Sequence, residues 1–126
     1  MAALAMLKTP GRFKVAVAGS PVTDWRLYDT GYTERYMDTP ANNSAGYAGA
    51  ELGKLASNLQ GKLFIVHALM DENVHFDNTA RLVDALVAAG RKFDLLVFPG
   101  ERHGYRSPTA RQYAYRRVVD YFAENL

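Results

Sequence analysis

Leu63-Phe-Ile-Val-His-Ala-Leu-Met70, followed at once by Asp71-Glu-Asn-Val-His-Phe76, decides how this chain is read. Residues 63–68 are nearly all apolar without period-two alternation, the pattern of a strand covered on both faces in a parallel sheet. Such a strand belongs in the middle of a layered α/β domain. Where the apolar run stops, an acidic pair, an asparagine and a histidine arrive together at the strand's carboxyl end. In open α/β sheets that edge is where ligands bind. Asp71 is therefore the first candidate for chemistry.

Two more strands lie on either side in sequence. Phe13-Lys-Val-Ala-Val-Ala-Gly19 is closed by Gly19-Ser20-Pro21, and Phe93-Asp-Leu-Leu-Val-Phe98 is broken by Pro99-Gly100. After the central strand, Phe76, Ala80, Val83 and Val87 recur at helical spacing, with Leu82 and Leu86 beside them, until Gly90 ends the helix as a left-handed cap. Met1 to Lys8 is rich in strong helix formers and stops before Thr9-Pro10-Gly11. Uncapped and apolar nearly all round, it reads as the continuation of something upstream. Ser107-Pro108 and a Thr109-x-x-Gln112 capping box start the last helix, whose inner face reads Ala114, Val118, Tyr121 and Phe122. Residues 38–56 are rich in Asn, Gly and Ala and lead into a short helix ending near Gln60-Gly61. Right-handed crossovers turn this order into an α/β fold of three parallel strands with helices on both faces.

With 126 residues, 48% hydrophobic and 22% charged, the chain holds one domain's worth of sequence. A net charge of +2, from 15 basic and 13 acidic residues, gives no field that would favour nucleic acid or a membrane surface. Arg102, Arg106, Arg111, Arg116 and Arg117 read as a solvated face shared with Asp120 and Glu124. The absence of cysteine excludes a disulfide framework and a thiolate metal site. Nothing approaches the roughly 18–20 apolar residues of a membrane span, and Met1 to Leu7 lacks the basic leader and cleavage pattern of a signal peptide. No cofactor is expected.

Asp71 and His103 each follow a strand's carboxyl end, with one helix and one strand between them. If those strands are neighbours, the two side chains share one edge of the sheet. An Asp accepting from one ring nitrogen of a His fixes the tautomer and leaves the other nitrogen as a general base. An Asp and then a His at successive strand ends is also the latter part of the Ser…Asp…His order of α/β-hydrolases. The serines are Ser20, Ser44, Ser57 and Ser107, and none has the small residues two before and two after it that a nucleophile elbow requires. Ser20 comes nearest, but Ala18 and Val22 flank it and Pro21 follows. A competing metal site from His67, Asp71, Glu72 and His75 lacks the His-Glu-x-x-His register, and His67 reads as a satisfied core histidine. Trp25, Tyr28, Tyr32 and Tyr36 recur at helical spacings. They fit either core packing under a long connection or an apolar pocket with hydrogen-bonding tips.

Tyr28-Asp29, Tyr32-Thr-Glu-Arg-Tyr-Met37, Asp71-x-Asn-Val-His-Phe76 and His103-Gly104, in this order and spacing, resemble the catalytic domain of the prolyl oligopeptidase family of serine peptidases, in its dipeptidyl peptidase IV branch. The resemblance runs from Met1 to Leu126 and implies the C-terminal part of an α/β-hydrolase fold. It implies that Asp71 is the triad acid and His103 the triad base. Asn73 then matches the residue that hydrogen-bonds the substrate's backbone carbonyl. Val22, Trp25, Tyr28, Tyr32 and Val74 match the apolar pocket for the proline-sized side chain before the cleaved bond. The substrate so implied is a peptide with Pro or Ala second from its N-terminus, released as an X-Pro or X-Ala dipeptide. The nucleophile would lie about five residues before Met1 in a Gly-x-Ser-x-Gly turn, with the oxyanion-hole donors and a β-propeller also upstream. On this reading residues 1–126 are a fragment of a longer enzyme, inactive alone.

The alternative is a stand-alone binding module. The strand at Phe13 to Gly19 would then present an open edge and the first helix would lose part of its cover, which favours a homo-oligomer. The resemblance adds Tyr121, Phe122 and their neighbours as a second candidate interface.

Overall fold

Lys62–Ala68, the apolar stretch extended by one lysine, forms the middle strand of the computed structural model, which describes residues 1–126. In chain order the strands are β1 (Val15–Gly19), β2 (Lys62–Ala68) and β3 (Asp94–Phe98). The helices are α1 (Ala2–Lys8), α2 (Thr30–Met37), α3 (Ser44–Gly49), α4 (Asp77–Ala88) and α5 (Pro108–Asn125). Short 3-10 turns occupy Trp25–Leu27 and Leu52–Asn58, the second standing where a helix ending near Gln60 was expected. All strands are parallel in the order β1-β2-β3, with Val15 opposite Lys62 and Phe64 opposite Asp94.

Alternate side chains of β2 point to opposite faces, and both faces are covered. Leu63 and Ile65 pack with Met6 and Leu7 of α1, Leu52 and Ala56 of the second 3-10 turn, and Leu82 and Leu86 of α4. Each fully buried Leu, Ile or Met side chain among these contributes roughly 1.5–3 kcal/mol relative to exposure. Phe64 and Val66 meet Tyr121, Val118 and Phe122 of α5. Tyr121 stacks on Phe64 with centroids 4.8 Å apart and donates its hydroxyl to Asp94 at 2.8 Å. Tyr121 is thus an inward-facing residue, 6% exposed, and not the surface contact that the resemblance suggested. The exposed side of α5 carries Tyr113, Tyr115 and Val119 instead. Arg117 also departs from a purely solvated role, because its guanidinium lies over the Phe64 ring at 5.7 Å.

The register of α4 differs in detail from the spacing of its apolar residues. Its buried side is Asn78, Thr79, Leu82 and Leu86, while Val87 is exposed. The buried Asn and Thr have hydrogen-bonding work that apolar periodicity cannot register. α4 ends as expected: Gly90 adopts φ +64°, and Arg91 N–H reaches Leu86 O while Gly90 N–H reaches Val87 O, the paired bonds of a Schellman cap. For α5 the cap is Ser107, whose hydroxyl accepts Ala110 N–H at 3.2 Å with Pro108 at the first helical position. Thr109, the second residue of the helix, does not serve as the cap.

Candidate active site

The loops leaving the carboxyl ends of β2 and β3 are stitched together by their backbones. Leu69 N–H donates to Phe98 O at 3.1 Å and Met70 N–H to Glu101 O at 3.2 Å. The Glu101 carboxylate accepts Ser107 N–H at 3.2 Å, closing the loop that carries His103. Because β2 and β3 are neighbours, with Ala68 opposite Phe98, Asp71 and His103 arrive at the same point. His103 Nδ1 lies 2.9 Å from Asp71 Oδ2 and 3.1 Å from Oδ1.

Asp71 is buried, and its carboxylate is held from several sides. Oδ1 accepts the backbone N–H groups of Asn73 (3.0 Å) and Val74 (2.8 Å), and Oδ2 accepts the Ser20 hydroxyl at 2.8 Å. Burial pushes the carboxyl toward its neutral form. The hydrogen bonds from His103, Val74 N–H, Ser20 and Asn73 N–H outweigh that and hold it below the ordinary carboxylate range. A carboxylate only accepts, so His103 Nδ1 carries the hydrogen and Nε2 is the basic nitrogen. The His103 side chain is 42% exposed, so that nitrogen is within reach of a bound molecule.

His67 lies beneath this pair and is wholly buried, a satisfied core histidine. Its Nε2 is 2.8 Å from the Val74 carbonyl, an acceptor only, so Nε2 bears the hydrogen, while Nδ1 accepts from the Thr79 hydroxyl at 2.7 Å. Nε2 also sits 3.4 Å from Asp71 Oδ2. Burial lowers the His67 pKa, against the opposing pull of the Val74 carbonyl and Asp71. Both ring nitrogens are engaged within the chain. No group of three or more His, Asp or Glu side chains is arranged to hold a metal ion.

The aromatic segment closes the other side. Asp24 caps the 3-10 turn by accepting Arg26 N–H (3.0 Å), and Asp29 caps α2 by accepting Tyr32 N–H (2.8 Å). Those caps bring the rings together: Trp25 meets Tyr28 edge-on at 5.8 Å and stacks with Tyr32 at 6.2 Å, and Tyr32 meets Tyr28 at 5.6 Å. The Tyr28 hydroxyl donates to Asn73 Oδ1 at 2.9 Å, joining the cluster to the Asp71 loop. The Asn73 amide hydrogens then have no partner in the chain and remain available as donors. Val22 lines a cavity of about 190 Å³ with Met1, Leu4, Val17 and Trp25. Val74 is buried, its N–H engaged with Asp71 and its carbonyl with His67. A second cavity of about 150 Å³ is lined by Trp25, Tyr32, Thr33, Tyr36 and Met37.

Several residues at the site were not singled out by the sequence for the parts they play. Thr23 and Asn78 join the aromatic segment to α4, Thr79 supplies the hydroxyl that His67 Nδ1 accepts, and Glu101 closes the His103 loop. Arg102 and Arg106, expected on a solvated face, flank His103 and pair with Glu72 at 3.6 and 3.3 Å. None of the serine hydroxyls reaches His103: Ser20 is directed at Asp71 and Ser107 caps α5.

The model of the prolyl oligopeptidase family matches residues 1–126, the whole chain. The chain belongs to the prolyl oligopeptidase family. Dipeptidyl peptidase 8 of Homo sapiens is 41% identical over 129 residues, covering 98% of this chain and 14% of its own length, and the Mus musculus protein matches to the same extent. The crystal structure of Porphyromonas gingivalis dipeptidyl peptidase 4 superposes with a TM-score of 0.94 at 38% identity, covering 98% of this chain and 18% of that one. The chain therefore spans about a seventh of the curated relatives it matches. In prolyl oligopeptidase family terms, the three-stranded parallel sheet with its flanking helices is part of an α/β-hydrolase domain.

Proposed function

We propose that residues 1–126 are the C-terminal portion of a serine-type dipeptidyl peptidase and supply its triad acid, its triad base and most of its proline pocket. The reading rests above all on the buried Asp71 carboxylate holding Nδ1 of a half-exposed His103 at 2.9 Å. In that role His103 Nε2 takes the proton of a serine hydroxyl as it attacks the scissile carbonyl, then delivers it to the leaving amine. Asp71 orients the ring and stabilises the imidazolium. Asn73 donates its free amide to a substrate backbone carbonyl. Trp25, Tyr28 and Tyr32 offer flat apolar faces to a pyrrolidine ring or a methyl group, and Val22 and Val74 complete the pocket. The reaction is release of X-Pro or X-Ala dipeptides, with no cofactor. Since no serine of these 126 residues bonds to His103, the nucleophile comes from outside them and the chain alone is inactive.

A chimera tests this reading. The chain replaces the matching segment of Porphyromonas gingivalis dipeptidyl peptidase 4, and hydrolysis of a Gly-Pro chromogenic substrate is followed beside the isolated chain. Activity in the chimera, its loss in the His103→Ala chimera, and silence of the isolated chain are expected. A folded chimera without activity, or an active isolated chain, would refute the assignment.

A second reading is favoured by β1, which pairs only with β2 and leaves its other edge open. On that reading the isolated chain self-associates as a homo-oligomer through the β1 edge. Light scattering that shows a monomer at high concentration excludes it.

A further inference from the structure

We propose that Ser20 is a positioning residue for the Asp71–His103 pair: its hydroxyl fixes the carboxylate's orientation from the neighbouring strand. The inference deepens the assignment of Asp71 and His103 as acid and base, and rests on it for its catalytic meaning.

Ser20 follows the last residue of β1 and is held at two points. Its backbone N–H donates to Val66 O at 2.9 Å, extending the β1–β2 ladder by one bond, and its hydroxyl donates to Asp71 Oδ2 at 2.8 Å. The residue adopts φ +40°, a left-handed conformation that a side chain other than glycine's disfavours. Such strain persists only where the surroundings impose it. Here the two hydrogen bonds do so, and they act together only because the hydroxyl exists.

The two oxygens of Asp71 are secured differently. Oδ1 is gripped by N–H groups of its own loop, at Asn73 and Val74. Oδ2, the oxygen nearer His103, has no backbone donor. Its close partners are the Ser20 hydroxyl and His103, with His67 Nε2 farther off at 3.4 Å. Ser20 is thus the one close contact, apart from His103 itself, that holds Oδ2 in place. By donating to Oδ2 it also draws off part of the negative charge available to the imidazole. The same geometry excludes Ser20 as a nucleophile, since its proton is aimed at the acid and not at the base.

The test uses the isotope-labelled 126-residue chain and two variants, Ser20→Ala and Ser20→Gly. NMR follows the Asp71 carboxyl carbon through an acid titration, and the His103 Nδ1–H resonance. In both variants the Asp71 midpoint is expected to rise by about half a unit to one unit, as for loss of one hydrogen bond to a buried carboxylate. The Nδ1–H signal is expected to broaden through faster exchange with water. Glycine relieves the backbone strain, so Ser20→Gly should be the more thermostable variant while showing the same change at Asp71. An unchanged midpoint and resonance in both variants would overturn the proposal. So would wild-type behaviour in Ser20→Gly, which would place the effect in the backbone. Neither readout requires turnover, so an inactive chimera with these shifts present refutes the peptidase reading while leaving Ser20 as the residue that orients Asp71.

Discussion

Asn78, wholly buried at the head of α4, accepts the Thr23 backbone N–H on Oδ1 at 2.9 Å while its own carbonyl accepts the Thr23 hydroxyl at 2.6 Å. Its Oδ1 also lies 3.4 Å from Asp24 N–H, and its amide donates to His75 O at 3.3 Å. One side chain thereby fastens the aromatic segment to the end of the Asp71 loop. Asn78→Ala leaves buried N–H groups without acceptors and should cost about 2–4 kcal/mol. Urea denaturation with linear extrapolation measures the loss, and amide exchange should quicken at residues 22–28 before the rest of the sheet.

His67 should make stability depend on pH well above the carboxylate range. Its pKa in the folded chain lies below its ordinary value. The unfolded chain therefore binds the proton first, and stability rises with pH in that window. The contribution is full above about pH 6.5 and falls as the pH drops from there toward the lowered folded value. His67→Gln removes the titration: the variant should be less stable at pH 8, yet its stability should stay flatter between about pH 6.5 and 5. Denaturant midpoints across that range check both statements. Asp71, depressed in the opposite chemical sense, adds a separate loss of stability only below about pH 4.

Gly61, at the entrance to β2, has φ +89°, and a Cβ there would stand 2.5 Å from Lys14 O and 2.8 Å from Phe13 O. The obstacle is the backbone leading into β1, which cannot step aside without breaking the Lys62 N–H to Lys14 O bond of 2.7 Å. Gly61→Ala is expected to destabilise by about 2–4 kcal/mol. Thermal unfolding measures it, with Gly49→Ala, which meets nothing within 4 Å, as the control.

In the active chimera, Trp25→Ala should lower kcat/KM for a Gly-Pro substrate about tenfold through loss of the ring that stacks on Tyr32. Tyr28→Phe keeps the ring and removes only the bond to Asn73 Oδ1. Its expected effect is a few-fold rise in KM with kcat nearly unchanged. Steady-state kinetics on the two variants distinguishes a pocket wall from an orienting hydroxyl.

The strands and their parallel order could be read from Leu63–Ala68 and its neighbours because burial on both faces leaves a continuous apolar run. The meeting of Asp71 and His103 could be read because both follow strand ends and adjacent strands bring such positions together. Ser20, Asn78 and Thr79 were not legible in those roles. Each acts through hydrogen bonds to another element of the fold, and a polar residue carries no sign in the sequence of what it faces. Tyr121 was placed on the right face of α5, but the resemblance pulled it toward an interface. In the structure, Phe64 and Asp94 claim both its ring and its hydroxyl.

The two faces of β2 are completed at different times during synthesis. Leu63 and Ile65 find α1 and the second 3-10 turn already made, and α4 follows within a few residues of the strand. Phe64 and Val66 wait for α5, which comes after every strand it covers. The Phe64 and Val66 side of the sheet is therefore expected to stay uncovered in a growing chain until Tyr121 docks.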